Sequence, residues 1–296
     1  MNSLKYYITL ICTVSILSVQ AQTDSTKSWG SEAEDSGPYV TKTFKTTRVI
    51  NFQTIETSGA KVLDFTISHR FGPINSGTYD SWGIDGGASI RLGLDYSPNS
   101  RLMFGLGRSS YQKMFDGYAK YRLLRQTKES GMPISLTLFS GVYCIGMKDL
   151  AKDNNGYDKF QHFDSRLSFV HQLLIARKFG EQFSLEIAPW FVHYNQVDVI
   201  TDLNNMYGVS AAMRFKFSKK FGVTGEYSYR INKYSRGDYY NSMGIGLELQ
   251  TAGHIFQVLL TNSIGLAESQ YLPYTNNRWT NAGIRLGFNI GRSFQL

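Results

Sequence analysis

The chain has 296 residues and is rich in glycine and aromatic residues, with 28 Gly, 19 Tyr and 19 Phe against six Pro. That composition suits many short strands with aromatic girdles. The net charge of +8 could suit nucleic acid, but the export signal described below argues against that partner and favours anionic surface lipid or an anionic solute.

Residues 1–21 have the features of an export signal. Lys5 is the only charged residue among them, and residues 6–19 form an apolar run. Val19 and Ala21 place small side chains three residues and one residue before a cut, so we expect cleavage between Ala21 and Gln22. An uncleaved membrane anchor is disfavoured, because the run is shorter than the about 20 apolar residues of a membrane span. After cleavage only Cys144 remains, so no internal disulfide is expected.

Residues 22–43 are predicted to form a flexible leader. Residues 22–37 are polar and contain almost no apolar side chains, so they cannot bury a core.

Residues 44–60 form a separate pre-barrel segment, because apolar residues return there without a strict period of two. The apolar residues are Phe44, Val49, Ile50, Phe52 and Ile55. A mere tether would not need them. We predict that the segment folds back against the periplasmic mouth of a barrel and partly plugs its lumen, with Arg48 pairing an inward carboxylate such as Asp64 or Glu248. A segment that lies loosely under the barrel is the alternative.

Residues 61–296 alternate between apolar and polar side chains, which is the pattern of β-strands. Twelve candidate strands follow from this period: 61–71, 88–96, 101–107, 115–124, 134–144, 167–177, 183–193, 209–217, 221–231, 243–250, 256–261 and 282–290. Most are near the roughly 9–11 residues that a tilted strand needs to cross a bilayer. The fold class predicted is all-β, an antiparallel up-and-down transmembrane barrel of about twelve strands.

The connections support this barrel. From the fifth strand onward, long and short connections alternate, as they do in outer-membrane barrels with short periplasmic turns and long outer loops. Hydrocarbon offers backbone groups no hydrogen-bond partners, so a spanning sheet must close on itself. A secreted soluble sandwich or barrel is the alternative architecture.

Charged residues on the polar parity of the strands are predicted to line the lumen. They are Asp64, Arg70, Arg91, Asp95, Asp116, Lys120, Arg122, Arg214, Glu226, Glu248 and Arg285. With Arg101, the first four strands carry five basic and three acidic residues, which could favour anions. The alternative is a structural network, because buried charges survive only when they are paired.

Five stretches resemble a family of membrane-bound β-barrel domains of unknown function from gram-negative bacteria: 47–51 (TRVIN), 68–72 (SHRFG), 93–96 (GLDY), 107–110 (GRSS) and 120–124 (KYRLL). The resemblance covers roughly residues 44–296 and is most specific between residues 47 and 126. It implies a membrane barrel exported to the outer membrane. It supplies no reaction and no site residues.

The sequence predicts no catalytic residue, no metal site and no cofactor. Twelve-stranded outer-membrane phospholipases use a His and a Ser close together on the outer wall, but no His-x-Ser pair occurs among the five histidines. Residues 162–165 (HFDS) have suitable side chains in a predicted loop. Residues 153–158 (DNNGYD) match a calcium loop only in part. Residues 105–108 (GLGR) lack the helix that follows a phosphate-binding glycine motif, so inward-facing glycines explain them better.

Three functions remain open. The first is a passive pore or uptake barrel for small solutes with a mildly cationic lumen. The second is a closed structural barrel that binds partners through its outer loops, and the third is a membrane-embedded hydrolase. We expect the chain to contact outer-membrane lipid and to act as a pore rather than as an enzyme. Protein partners and the solute are not identified by the sequence.

Overall fold

The computed structural model of the protein describes residues 37–129, 131–148, 160–197, 202–232, 239–251 and 253–296. The predicted signal at residues 1–21 and the first part of the leader, residues 22–36, lie outside these ranges.

The described part of the chain forms twelve antiparallel strands that close into one barrel, in which every strand pairs with its sequence neighbours and β1 pairs with β12. The strands are β1 (Val62–Pro73), β2 (Ser89–Ser97), β3 (Leu102–Ser109), β4 (Phe115–Leu124), β5 (Ser135–Cys144), β6 (Leu167–Phe179), β7 (Phe183–Tyr194), β8 (Asn205–Lys216), β9 (Phe221–Arg230), β10 (Met243–Gln250), β11 (Ile255–Thr261) and β12 (Arg285–Gln295). The predicted fold class is confirmed.

In the residues that the structure describes, helical structure is confined to the connections between strands. Four short 3-10 helices lie at Ile74–Ser76, Thr78–Gly83, Tyr111–Lys113 and Asp164–Arg166, and one α-helical turn, α1, spans Glu268–Tyr271. No helix in the described ranges is long and apolar enough to cross a membrane.

Two strands differ most from their predicted bounds. β8 begins at Asn205 rather than at residue 209, because Asn205 pairs with His193 of β7. β12 runs from Arg285 to Gln295 rather than over 282–290, because its partner β1 extends the ladder to the pair Val62–Gln295. Strand ends are thus set by pairing with the neighbouring strand, which periodicity alone does not report.

The barrel has two unlike ends. The connections 98–101, 125–134, 180–182, 217–220 and 251–254 lie at one end, here called the turn end. The connections 74–88, 145–166, 195–204, 231–242 and 262–284 lie at the other, the loop end, and four of these five are longer than any connection at the turn end. Residues 110–114 form the shortest connection at the loop end. The barrel's first and last residues meet at the turn end, where Lys61 donates to Ser97 and Leu296 donates to Lys61.

The outer face of the barrel is apolar. Leu94, Leu106, Leu247 and Val258 expose between 46% and 66% of their surface. Outward ring pairs stand at the turn end, where Phe179 and Phe183 have centroids 5.9 Å apart and a second pair joins Phe217 to Phe221. An exposed apolar belt of this extent is suited to lipid rather than to water.

A charge placed in this belt tests its contact with lipid. Leu94→Arg in β2 should lower the free energy of unfolding by about 2–4 kcal/mol in lipid vesicles, because an outward charge near the bilayer midplane loses its hydration. The matched control is Ser100→Arg, which adds the same charge to an exposed position in the next turn. Equal losses in the two variants, measured by denaturant unfolding, would contradict the placement of Leu94 against lipid.

Candidate functional site in the barrel lumen

The lumen is occupied by the chain's own residues 44–60, called here the plug segment. Residues 47–54 form a narrow hairpin, in which Val49 donates to the carbonyl of Phe52 at 2.8 Å and Thr54 donates to that of Thr47 at 3.0 Å. The five apolar residues noted in the sequence are each at most 3% exposed. The segment therefore lies inside the barrel, beyond the mouth at which the sequence analysis expected it.

The hairpin tip is held by a carboxylate of the wall. Glu226 on β9 accepts from the backbone amides of Ile50, Asn51 and Phe52 at 3.0–3.1 Å, and from the side-chain amide of Asn51 at 2.7 Å. Successive amides that converge on one anion form a nest, which compensates a buried negative charge without a cation. From β1, Arg70 donates to the side chain of Asn51 at 2.9 Å and to the carbonyl of Ile50 at 3.3 Å.

The two arms of the hairpin are held by a lysine. Lys120 on β4 donates to the carbonyls of Thr47, Thr54 and Glu56 at 2.8, 3.0 and 3.2 Å. These three bonds use all three donors of its ammonium group. The hydrogen bonds of this fully buried charge therefore go to the plug segment.

Two further contacts fix the end of the plug segment nearest β1. Glu186 on β7 accepts from the amide of Ile55 at 2.8 Å, and Arg122 on β4 pairs with Glu56 at 2.9 Å. Both wall residues are buried, so removal of the segment would leave opposite charges without their present partners.

The other side of the lumen is filled from the loop end. Residues 262–275, called here the inward loop, fold into the barrel and carry α1, all four of whose residues are buried. Leu266, Ala267 and Leu272 are buried beside it. The sequence analysis treated this stretch as part of an outer loop and missed its role. The apolar residues around α1 were the feature of the sequence that could have indicated its burial inside the barrel.

Glu268 joins the inward loop to the plug segment. Its carboxylate pairs with Arg48 at 2.6 Å and accepts from Gln53 and from Tyr143 on β5, both at 2.7 Å. Next to it, the rings of Phe52 and Tyr271 stack with their centroids 5.3 Å apart. A single buried carboxylate of the inward loop thus connects that loop with the plug segment and with the wall.

The predicted partners of Arg48 are wrong. Arg48 pairs with Glu268, whereas Glu248 pairs with Arg214 at 2.7 Å and Asp64 accepts from Ser293. Asp64 lies near the turn end, at the start of β1, and the hairpin carries Arg48 past it towards the loop end. The sequence could not supply Glu268 as a partner, because that residue was placed outside the barrel.

All eleven predicted lumen residues are buried on the inner face. Arg91 pairs with Asp116 at 2.5 Å across β2 and β4, and Asp95 accepts from Tyr118 at 2.5 Å and from Thr47 of the plug segment at 3.2 Å. Arg285 donates to the carbonyl of Phe71 at 2.9 Å. The arrangement is a network of paired charges that passes from the wall into the plug segment.

Two details change what was predicted for the residues that face the lumen. Arg101 is exposed in the turn before β3 rather than directed into the lumen. The glycines of the 105–108 stretch serve the network, because a Cβ at Gly105 would lie 2.2 Å from the Tyr118 ring and one at Gly107 would lie 2.2 Å from the guanidinium of Arg91. These glycines make room for long inward side chains.

One sector of the inner wall is apolar. It lies on β5 to β8, where it includes Phe139, Leu174, Trp190, Val192 and Met206. These side chains form one hydrophobic cluster with the apolar residues of the plug segment and of the inward loop. The middle of the lumen is therefore a packed core rather than a water-filled passage.

A Ser–His contact on the outer wall escaped the sequence analysis. Ser140 on β5 and His171 on β6 are cross-strand partners, with Oγ and Nδ1 3.0 Å apart, and both are exposed on the outer face. The search for His-x-Ser along one strand could not find a pair across two strands. In the described ranges no ion pair includes His171.

Residues 162–165 stay at the exposed surface of the loop end. The stretch 153–158 lies outside the described residues. Within those residues, no group of three His, Cys, Asp or Glu side chains could hold a metal ion.

Loss of the Glu268 carboxylate should destabilise the closed lumen. Glu268→Gln leaves Arg48 largely buried without its counter-charge, which should cost about 3–5 kcal/mol of the free energy of unfolding. Glu181→Gln is the control, because Glu181 is 88% exposed and its contact with Lys178 is 3.8 Å long. Urea unfolding followed by tryptophan fluorescence measures both, and equal effects would contradict the role of Glu268.

The same carboxylate makes stability dependent on pH. Burial alone would raise the pKa of Glu268, but Arg48, Arg91 and the bonds from Tyr143 and Gln53 hold that pKa below its usual value of 4.5. A carboxyl with a depressed pKa stabilises the folded state above its unfolded pKa and loses that contribution as the pH falls through its folded pKa. The stability difference between wild type and Glu268→Gln should be constant above pH 4.5 and shrink below it. A difference that grows in acid would contradict this assignment.

Several solved structures of outer-membrane proteins are similar to this chain. The KdgM porin shares 10% identity with this chain, at a TM-score of 0.45, over 79% of this chain and 99% of its own. The outer membrane phospholipase A from Escherichia coli shares 11% at 0.44, over 78% and 92%. The Acinetobacter baumannii outer membrane protein Omp33 shares 9% at 0.42, over 82% and 100%. These likenesses concern the fold alone. No curated protein is a significant match.

The family comparison assigns the chain to a family, which the structural likenesses do not do. Residues 44–294, which include the plug segment, match the family described as membrane bound beta barrel domain, DUF5777. The chain therefore belongs to the DUF5777 family of membrane-bound β-barrel domains, whose members are barrels of unknown function.

Proposed function

We propose that this protein is an outer-membrane barrel closed by its own plug segment, and that small solutes pass only when that segment leaves the lumen. Residues 1–21 serve as its export signal. The observation that carries the proposal is the connection at Glu268, which ties the plug segment to the inward loop and to the wall.

The chemistry of the wall supports a displaceable plug. Glu226, Lys120 and Glu186 hold the segment by hydrogen bonds to its backbone. Water can replace such bonds if the segment leaves, whereas the membrane-facing surface would be unchanged. The apolar sector on β5 to β8 opposes this movement, because it would become hydrated. The closed form is therefore the resting state.

The charge of an opened lumen would be nearly balanced at the level of the plug segment. Removal of that segment would release Arg70, Lys120 and Arg122 together with Asp95, Glu186, Glu226 and Glu268. An anion preference would thus not come from these residues. A mildly cationic pore would have to gain its preference from the turn end.

Single-channel recording tests the proposal. The wild type should show no steady conductance across a planar bilayer, whereas deletion of residues 44–58 should produce it. Deletion of residues 22–36, which removes the same number of residues from the leader, is the control and should stay silent. Equal steady conductance in the wild type and in the 44–58 deletion would contradict the plug.

A second variant covers the case in which the deletion does not fold. Glu268→Gln should produce brief openings, because it weakens the connection between the plug segment and the inward loop. Thr47→Cys with Asp95→Cys, in a Cys144→Ser background, should abolish those openings when oxidised and restore them on reduction. Thr47 Oγ1 lies 3.2 Å from Asp95 Oδ2, so the two replaced side chains are in direct contact.

The closed structural barrel remains the second candidate, and the packed cluster on β5 to β8 favours it. A folded 44–58 deletion that is silent, together with a silent Glu268→Gln, would support this candidate and refute the pore.

A further inference from the structure

A large cavity lies at the turn end, on the path by which the chain enters the barrel. Its volume is about 1280 Å³, and its walls are residues 40–45 of the chain and the connections after β4, β6 and β8. Residues 38–40 run along the rim beside residues 126–128, where Val40 donates to Gln126 and Lys128 donates to Pro38. This cavity, called here the basin, is separate from the packed middle of the lumen.

The basin is strongly basic. Eight of its lining residues are Lys or Arg, and two, Glu129 and Glu181, are acidic. Part of this charge is compensated, because Arg214 pairs with Glu248 and Lys178 lies 3.8 Å from Glu181. In the part of the chain that the structure describes, no carboxylate forms an ion pair with Lys42, Lys45, Lys216 or Lys219. Within the described residues, these four lysines therefore share one cavity and none of them is in an ion pair with a carboxylate.

The pKa of Lys45 is consistent with this excess of positive charge in the basin. Burial, followed by the positive charges of Lys42 and Arg214, lowers the pKa of Lys45 from 10.5 to about 8, against a smaller opposing effect of Glu248. The neighbouring cations thus destabilise one another, and a bound anion would relieve that repulsion.

The size and lining of the basin narrow the class of ligand. A cavity above the roughly 300–1,000 Å³ of small-molecule sites is too large for one inorganic ion. The lysines come from two different parts of the wall, with Lys42 and Lys45 on the incoming chain and Lys216 and Lys219 at the end of β8 and its turn. Val40, Met132 and Phe179 also line it, so an organic skeleton finds apolar contacts between the charges.

We propose that the basin binds a multivalent organic anion that carries several phosphate, sulfate or carboxylate groups and that spans the lysines of these two parts of the wall. Lysine binds such groups as a mobile point charge, without demanding one fixed orientation. This site does not depend on the pore proposed above, since a permanently closed barrel would present the same basin.

Calorimetric titration of the refolded full chain in a non-ionic detergent tests the site, with inositol hexakisphosphate as the probe and orthophosphate as the comparison that carries a single phosphate group. Lys42→Gln with Lys45→Gln and, separately, Lys216→Gln with Lys219→Gln should each weaken binding of the probe by about tenfold or more. Orthophosphate should bind far more weakly than the probe. The second variant alters only the last residue of a strand and its exposed turn, so it keeps the test valid if the first does not fold.

The matched control is Lys61→Gln with Arg101→Gln, which removes two positive charges from the same end of the barrel but outside the basin. It should change the affinity by less than about twofold. Equal losses in all three variants would show non-specific attraction to a basic surface and would overturn the proposal, as would unchanged affinity in both basin variants.

The anion could come from a lipid headgroup or from solution. Titration in phosphatidylcholine and in phosphatidylglycerol nanodiscs separates these sources. Loss of probe binding only in phosphatidylglycerol would assign the basin to lipid headgroups, and equal binding in both would assign it to a soluble anion. Absence of probe binding in both media would overturn the proposal.

Discussion

A charge removed from water must find a partner where it lies, and the lumen of this barrel is organised by that constraint. The alternation of the strands places eleven charged side chains on an inner face that is too narrow to leave them hydrated. The wall pairs some of them internally, as in Arg91–Asp116 and Arg214–Glu248. For Arg70, Lys120, Arg122 and Glu226 the chain supplies backbone groups from its own plug segment. Filling of the lumen is in this sense required by the wall.

The plug segment matches a wall that is divided into two kinds of surface. Its amides and carbonyls contact Glu226, Lys120 and Arg70, while its apolar side chains join the cluster on β5 to β8. A segment with a strict period of two could present only one apolar face to this wall, and residues 44–60 lack such a period. The irregular pattern that prevents the segment from becoming a thirteenth strand therefore suits it to the inside of the barrel.

The sequence was sufficient to predict the wall of the barrel but not the contacts inside its lumen. Strand number, closure and the inward side of each charged residue follow from alternation, which is a local property of the chain. The partner of Arg48 does not, because Glu268 reaches it only when a loop folds inward after the barrel has closed. Glu186 lies on the inner face, but the amide that satisfies it belongs to a segment 131 residues away in the chain. The prediction for Arg101 was wrong for a different reason. The paired part of β3 begins at Leu102, so Arg101 lies in the turn before the strand.

The chain that enters the barrel lines the basin before it fills the lumen, so binding in the basin is linked to the closed state of the barrel. Lys42 and Lys45 belong to the chain that enters the lumen, whereas Lys216 and Lys219 belong to the wall. Repulsion between the two pairs favours departure of the plug segment, and an anion that bridges them favours its retention. A ligand that binds one of two states more tightly shifts the equilibrium towards that state by its difference in affinity. If both proposals hold, the basin anion is a ligand of the closed barrel, and the contacts at Glu268 and in the basin hold the segment at its two ends.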